Sequence, residues 1–306
     1  MKLFATGCNG FVGSHFLNKG KYGFDIYCAV RKYVDYIDLT RQSILDLESP
    51  QGWAEALEGS DVVVHMAAIA HYKYTNEKQI SEINTKSVIR FASEAVKAGV
   101  KRFVFVSSIG VNGTSTQAEP FTLDSEPSPH NDYARSKYDA EIGLKKIAKE
   151  TGLEVVIVRP TLVYGPDAPG NFGMLTKLIK RLPVLPFGFA TNRRDFISVQ
   201  NLADLLVTCA THPNAAGHTF LASDGETVSI KEFTNAIAKG LGKKVFQLPV
   251  PVGLMRFAGK LTGKSAMIEQ LYGNLEVDSS HIKEVLGWTP PFTMEQSMAF
   301  LKHTDK

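Results

Sequence analysis

Short apolar runs and longer amphipathic stretches alternate along the first half of the chain. Lys2–Ala5, Ile26–Val30, Val62–His65, Phe103–Val106 and Val155–Val158 are compact, rich in β-branched residues and too short for helices. Between them the period lengthens. Phe11–Lys19 follows the first run. Ile80–Ala98 places Ile83, Val88, Ile89, Ala92 and Val96 near helical spacing and stops at Gly99, and Asp132–Glu150 does the same with Tyr133, Ala134, Tyr138, Ile142 and Ile147 before Gly152. Strands that are apolar throughout predict a parallel sheet covered by helices on both faces. With right-handed crossovers this is a doubly wound, Rossmann-type α/β fold.

After about Pro160 the texture shifts to more Pro, Gly and aromatics, and two capping boxes, Ser229-x-x-Glu232 and Thr293-x-x-Gln296, mark helix starts. The expected organisation is a Rossmann-type domain over residues 1–160. Residues 161–306 would form a smaller lobe interleaved with the end of the sheet.

Composition narrows the function. The 306 residues are 44% apolar and 21% charged, ordinary for a soluble globular protein. Net charge is +3, with 34 basic and 31 acidic residues dispersed along the chain, so no nucleic-acid partner is expected. The longest nearly apolar run, Val62–Ala70, has 9 residues and contains His65, too short to cross a bilayer. No signal peptide is read, so we expect a cytoplasmic protein with no membrane partner. The three cysteines are odd in number and form no CxxC, and the eight histidines form no HExxH, so no disulfide or metal site is expected.

Candidate chemistry begins at Thr6-Gly7-Cys8-Asn9-Gly10-Phe11-Val12-Gly13, between the first strand and the first helix. Its glycines suit a tight turn, close approach of backbone to a pyrophosphate, and helix-on-strand packing, with the helix N-terminus facing the phosphates. NAD-specific folds place an acid at the end of the second strand; here Arg31-Lys32 stands there. Arg31 suits a 2′-phosphate and favours NADP, although a solvated basic pair is the other reading. Asp46 could cap an adenine amino group or simply be a surface acid.

Tyr133 and Lys137 lie four apart on one helix face. A free phenol, with its pKa near 10, is a poor base at neutral pH, and a neighbouring cation favours its ionised form. Ser108, 25 residues upstream at a strand end, could hydrogen-bond the same substrate oxygen. An isolated Tyr-x-x-x-Lys is usually surface; the upstream serine and glycine loop change that reading.

These pieces together resemble the extended short-chain dehydrogenase/reductases, especially the UDP-glucose 4-epimerase-like nucleotide-sugar enzymes. The matching segments run in order: the glycine loop, Asp46-Leu47, His65-Met66-Ala67-Ala68, Asn84, Ser107-Ser108, Tyr133-x-x-x-Lys137, Arg159-Pro160-x-x-Val163-Tyr164-Gly165-Pro166 and Arg194-Asp195-Phe196-Ile197-Ser198-Val199. The resemblance implies that Ser108, Tyr133 and Lys137 are catalytic. It places the NAD(P) cofactor on Gly7, Asn9, Gly10, Phe11, Val12, Gly13, Arg31, Asp46, Leu47, Met66, Ala67, Ala68, Asn84, Lys137 and Pro160. A nucleotide-sugar substrate would meet Ser107, Ser108, Tyr133, Asn171 and Arg194, the last two at its diphosphate. For Arg194 the residue type itself suits phosphate.

The resemblance leaves epimerisation at C4, reduction or oxidation at C4, and 4,6-dehydration. Dehydratases of the family carry Asp-Glu after the active-site hydroxyl; here Ile109-Gly110 follows Ser108, which cannot do acid/base work. A UDP-hexose 4-epimerase stands ahead of an NAD(P)H-dependent 4-ketoreductase, and both stand ahead of a non-catalytic dinucleotide sensor, because Tyr133 and Lys137 are both kept. One departure concerns the nucleotide site. No Arg follows Arg256, and Tyr272 aligns only loosely with the family's pocket tyrosine. The resemblance also implies a homodimer paired through the helices bearing Tyr133 and Ile83–Val96.

Overall fold

The computed structural model describes residues 1–20, 23–70 and 76–303. Eleven strands are present among them: β1 (Lys2–Thr6), β2 (Asp25–Val30), β3 (Gln42–Ile44), β4 (Val62–His65), β5 (Arg102–Val106), β6 (Glu154–Pro160), β7 (Leu162–Tyr164), β8 (Val184–Leu185), β9 (Phe196–Ser198), β10 (Thr219–Ala222) and β11 (Phe246–Gln247). Seven form one parallel sheet in the order β10-β6-β5-β4-β1-β2-β3. This is the doubly wound α/β sheet that the apolar runs predict. Two pairs, β7–β9 and β8–β11, stand apart from it.

Side chains alternate across each strand, which explains why these runs are apolar throughout. Leu3, Ala5, Val62, Val64, Val104 and Val156 enter one core with Phe16, Leu202 and Leu206. Phe4, Val63, Phe103, Phe105, Val155 and Ile157 enter the opposite core with Trp53, Phe91, Ala140 and Leu144. A third core gathers Tyr164, Phe172, Phe187, Phe196, Phe233 and Met294, with the Phe196 and Phe233 rings stacked 3.8 Å apart.

Strand order reverses between β1 and β4, so the chain diverges to either side of their C-terminal ends and opens a crevice there. Both capping boxes form as expected, at Ser229 and Thr293. The stretch read as one helix over 80–98 is interrupted: Glu82–Lys86 makes a π-turn between Glu77–Ser81 and Ser87–Lys97. No helix among the described residues is long and apolar enough to cross a membrane.

Candidate active site

The crevice is built first by steric necessity. Gly7, at the end of β1, has φ +76, and a Cβ there would lie 2.7 Å from the Ala67 nitrogen. A Cβ on Gly13 would lie 2.1 Å from the Gly7 carbonyl oxygen. Only glycine fits at either place. Gly10 N–H donates to the Gly7 carbonyl at 2.9 Å, and the helix Phe11–Gly20 opens directly afterwards, presenting its unpaired N–H groups.

The segment after β4 is tied to the same loop. Met66 N–H donates to the Thr6 carbonyl at 3.2 Å and Ala67 N–H to Thr6 Oγ1 at 3.3 Å. Thr6 Oγ1 also meets His65 Nδ1 at 3.0 Å. His65 is buried beside Phe91, Phe103 and Phe105. Burial, reinforced by the Lys137 charge, lowers its pKa to about 3, so it is neutral.

On the other side of the crevice, Tyr133 and Lys137 sit in the first turns of the helix Asp132–Thr151, whose N-cap Asn131 accepts from Ala134 N–H at 2.8 Å. Lys137 is 1% exposed. Its Nζ donates to the Val106 carbonyl at 2.8 Å and lies 4.5 Å from the Phe105 ring centre and 6.0 Å from that of Tyr133. Burial lowers this ammonium to about 7, with the Glu141 carboxylate pulling the other way. Ser108, extended at φ −158, caps the short turn Ile109–Val111, and its Oγ accepts from Gly110 N–H at 3.1 Å. Its own proton stays available for donation.

A cleft of about 890 Å³ unites Gly7, Gly10, Phe11, Val12, Gly13, Arg31, Met66, Ala68, Ser107, Ser108, Tyr133, Lys137, Pro160 and Asn171. Other expected residues lie elsewhere. Asn9 is exposed in the loop, and Ala67 lies behind Gly7. Asp46 is exposed and accepts from Glu48 N–H at 2.9 Å, while Leu47 packs against the second core. Neither lines the cleft.

Two residues take different places from those expected. Asn84 is fully buried in the π-turn; its Oδ1 accepts from Ile69 N–H at 2.9 Å, and its Nδ2 donates to the Ile69 carbonyl at 3.1 Å and to Ser136 Oγ at 3.2 Å. It therefore holds the cleft wall from behind rather than facing the cleft. Ser107 borders the cleft, but its hydroxyl donates to Glu141 at 2.5 Å, inside a buried network where Arg159 binds Glu141 in bidentate fashion and Asn112 at 2.9 Å.

Asn171 lies where the cleft meets a second cavity of about 280 Å³, lined by Phe172, Phe187, Phe196, Phe233 and Leu271 among others. Arg194 is the one charged side chain among the described residues lining it. Its guanidinium donates to the Gly273 carbonyl at 2.9 Å, and burial lowers its pKa to about 10, so it remains a cation. Tyr272 is not a pocket residue here: it is buried and its hydroxyl donates to the Pro186 carbonyl at 2.9 Å. Ile69, Ala70 and Thr161 also line the cleft; the first two follow His65–Ala68 and the third lies within Arg159–Pro166, so their positions were within reach of the sequence. Phe187 carries no such signal.

The chain matches the family described as NAD dependent epimerase/dehydratase over residues 3–223. It belongs to that family. It is 40% identical over 317 residues to a UDP-glucose 4-epimerase of Vibrio cholerae, covering 99% of this chain and 97% of the relative. It is 24% identical over 307 residues to N-acetyl-alpha-D-glucosaminyl-diphospho-ditrans,octacis-undecaprenol 4-epimerase of Escherichia coli O157:H7, covering 95% and 91%. Its fold is similar to a crystal structure of UDP-glucose 4-epimerase with UDP-glucose from Thermotoga maritima, with TM-score 0.80, 21% identity, and 99% and 98% of the two chains covered. The cradle at Gly7 and Gly13, closed to any side chain, fits the dinucleotide that the family description names.

Proposed function

We propose that this protein is a nucleotide-sugar 4-epimerase acting on a UDP-hexose through a 4-keto sugar. The observation that carries the reading is the union of Ser108, Tyr133 and Lys137 with the glycine cradle in one cleft, which opens at Asn171 toward the Arg194 cavity. The 40% identity to a UDP-glucose 4-epimerase over nearly the whole chain supports it. In this reading residues 1–160 hold the dinucleotide, and 161–306 mainly hold the sugar nucleotide.

Gly7, Gly10 and Gly13 hold the pyrophosphate, and the bound nicotinamide supplies hydride exchange with C4. Tyr133 takes the proton of the C4 hydroxyl as the hydride leaves and returns it after the keto sugar has presented its other face. Lys137 supplies the positive charge that favours the Tyr133 phenolate. Ser108 donates to the sugar oxygen and holds it for proton transfer. Arg194 and Asn171 bind the diphosphate, and the apolar walls of the second cavity receive the base.

The test is conversion of UDP-galactose to UDP-glucose by purified protein, together with mass spectrometry of the cofactor released on denaturation. Interconversion with near-stoichiometric retained NAD supports the epimerase. No interconversion, with consumption of NADPH on a 4-keto-6-deoxy sugar, turns the assignment to a 4-ketoreductase. Arg31, exposed at the cleft rim, supports a preference for NADP; equal loss of NADH and NADPH affinity in Arg31→Ala would rule that out. We further propose a homodimer through the helices Ser87–Lys97 and Asp132–Thr151, where Ile142 is 51% exposed; light scattering reporting a monomer would exclude it. Three buried, unbridged cysteines suit a cytoplasmic protein.

A further inference from the structure

Charge is unevenly spread once the fold is taken into account. Segments 168–192 and 240–268 together hold eight basic residues and no Asp or Glu, leaving 26 basic against 31 acidic residues in the remainder. The structure brings these two segments together. β8 pairs with β11, Phe246 N–H donates to the Pro183 carbonyl at 2.8 Å, Gly188 N–H donates to the Leu248 carbonyl at 2.9 Å, and Lys243 Nζ reaches the Lys180 carbonyl. The mouth of the Arg194 cavity lies in the same region, with Met174 and Leu178 from one segment and Met267 from the other among its lining.

The helix Val252–Leu261 is divided in a way that solvent alone does not explain. Val252 and Met255 pack on the third core and Gly259 is buried against Ile268. Leu254, Phe257 and Leu261, spaced three and four apart, are 57%, 57% and 73% exposed. Phe189, Phe246 and Leu248 in the paired segments are exposed as well. Single exposed apolar residues are ordinary; three in line on one helix face, beside Lys260 and Lys264, mark a contact surface. Leu and Phe on one helix face, flanked by Lys260 and Lys264, is the pattern of a helix lying in a membrane interface. Arg256 is shared with Glu269 at 2.9 Å, so it contributes less to the field.

Charge decides the occupant. A two-fold contact with a second copy would set this cationic face against itself. Anionic headgroups would instead neutralise it while the Leu and Phe side chains enter the headgroup–acyl boundary. We propose that this face docks on an anionic phospholipid bilayer, which sets the mouth of the Arg194 cavity beside the membrane. The expectation of no membrane partner came from the lengths of apolar runs, which test spanning and not surface docking. The inference rests on no assignment of the reaction.

Co-sedimentation with vesicles of phosphatidylcholine, with and without about one third phosphatidylglycerol, tests it. Binding is expected only to the anionic vesicles, and added salt should weaken it. Lys260→Glu with Lys264→Glu, and separately Phe257→Ser with Leu261→Ser, should each lower partitioning at least about tenfold. Both double variants should keep a cooperative melt and the wild-type turnover, since none of the four residues lines either cavity. Wild-type protein remaining in the supernatant at low salt would overturn the proposal. So would binding that is lost with the lysines but indifferent to Phe257 and Leu261, which is nonspecific charge attraction. Self-association abolished by Phe257→Ser would hand the face to a second copy.

Discussion

In the proposed reaction Tyr133 and Lys137 would divide the work of one proton transfer: the phenol would carry the proton and the buried ammonium, 6.0 Å from the ring centre, would set how readily it leaves. Tyr133→Phe removes only the hydroxyl, so turnover should fall by about a thousandfold or more, with cofactor affinity within a few-fold of wild type in a fluorescence titration. Activity near wild type would remove Tyr133 from that role. The glycines make a graded prediction. A Cβ at Gly13 meets the fixed backbone of Gly7 and Cys8 at 2.1 and 2.6 Å, whereas one at Gly10 meets a single oxygen at 3.1 Å. Gly13→Ala should therefore lower the melting temperature and empty the cofactor site, with Gly10→Ala much milder; similar losses in both would show that the Gly13 contact relaxes. The residues that the sequence made legible are those whose chemistry is contiguous, such as the glycine loop, or helically spaced, such as Tyr133 and Lys137. Which of the adjacent strand-end serines turns to the site is set by the strand's orientation in the sheet, which the sequence does not state; neighbouring side chains on extended backbone face opposite ways. Ser107 consequently turns to Glu141 while Ser108 borders the cleft with its proton still to donate.

At the scale of elements, the π-turn Glu82–Lys86 is the device that brings Asn84 against the cleft wall. The amide forms a two-point contact with Ile69, matching one backbone donor and one acceptor, and also reaches Ser136 on the Tyr133 helix. Asn84→Ala leaves these buried groups unpaired and should cost about 1–3 kcal/mol in urea denaturation. It should also weaken the cofactor, because Ile69 lines its cleft; unchanged cofactor affinity would confine Asn84 to stability. Periodicity did not reveal the turn, since the one inserted residue barely shifts the apolar spacing of the flanking helix. Five strands were legible because each is a short, mostly buried apolar run with flanking helices. β3 was not: three residues long with Gln42 its one buried side chain, it is a strand through pairing with β2 rather than through any pattern of its own. The second cavity was equally hidden, since Phe187 and Phe233 meet only when the third core assembles.

Across the whole molecule the site is held at a cost in stability. Lys137 is an ammonium surrounded by the Phe105 ring, the Val106 carbonyl and the helix that carries it, and its ionisation in the folded protein is lowered to about 7. In the unfolded chain it returns to about 10.4. Below pH 7 both states carry the charge, so the folded state bears the full penalty of burying it, at most a few kcal/mol. Between pH 7 and about 10 the unfolded chain binds the extra proton, and stability contributed by this group rises with pH. Lys137→Met abolishes the charge in both states and removes this slope. Its loss of the Val106 contact adds an offset that does not depend on pH. The ligand-free variant, measured against wild type in urea, should therefore be relatively most stable near pH 6.5, with its advantage shrinking toward pH 9.5, while its turnover is lost at every pH. A difference between the two proteins that stays constant across that range would mean that Lys137 is as well solvated in the folded protein as in the unfolded chain. In that case the low-dielectric setting on which its influence over Tyr133 depends would be absent, and the Tyr133 phenolate would need another source of support.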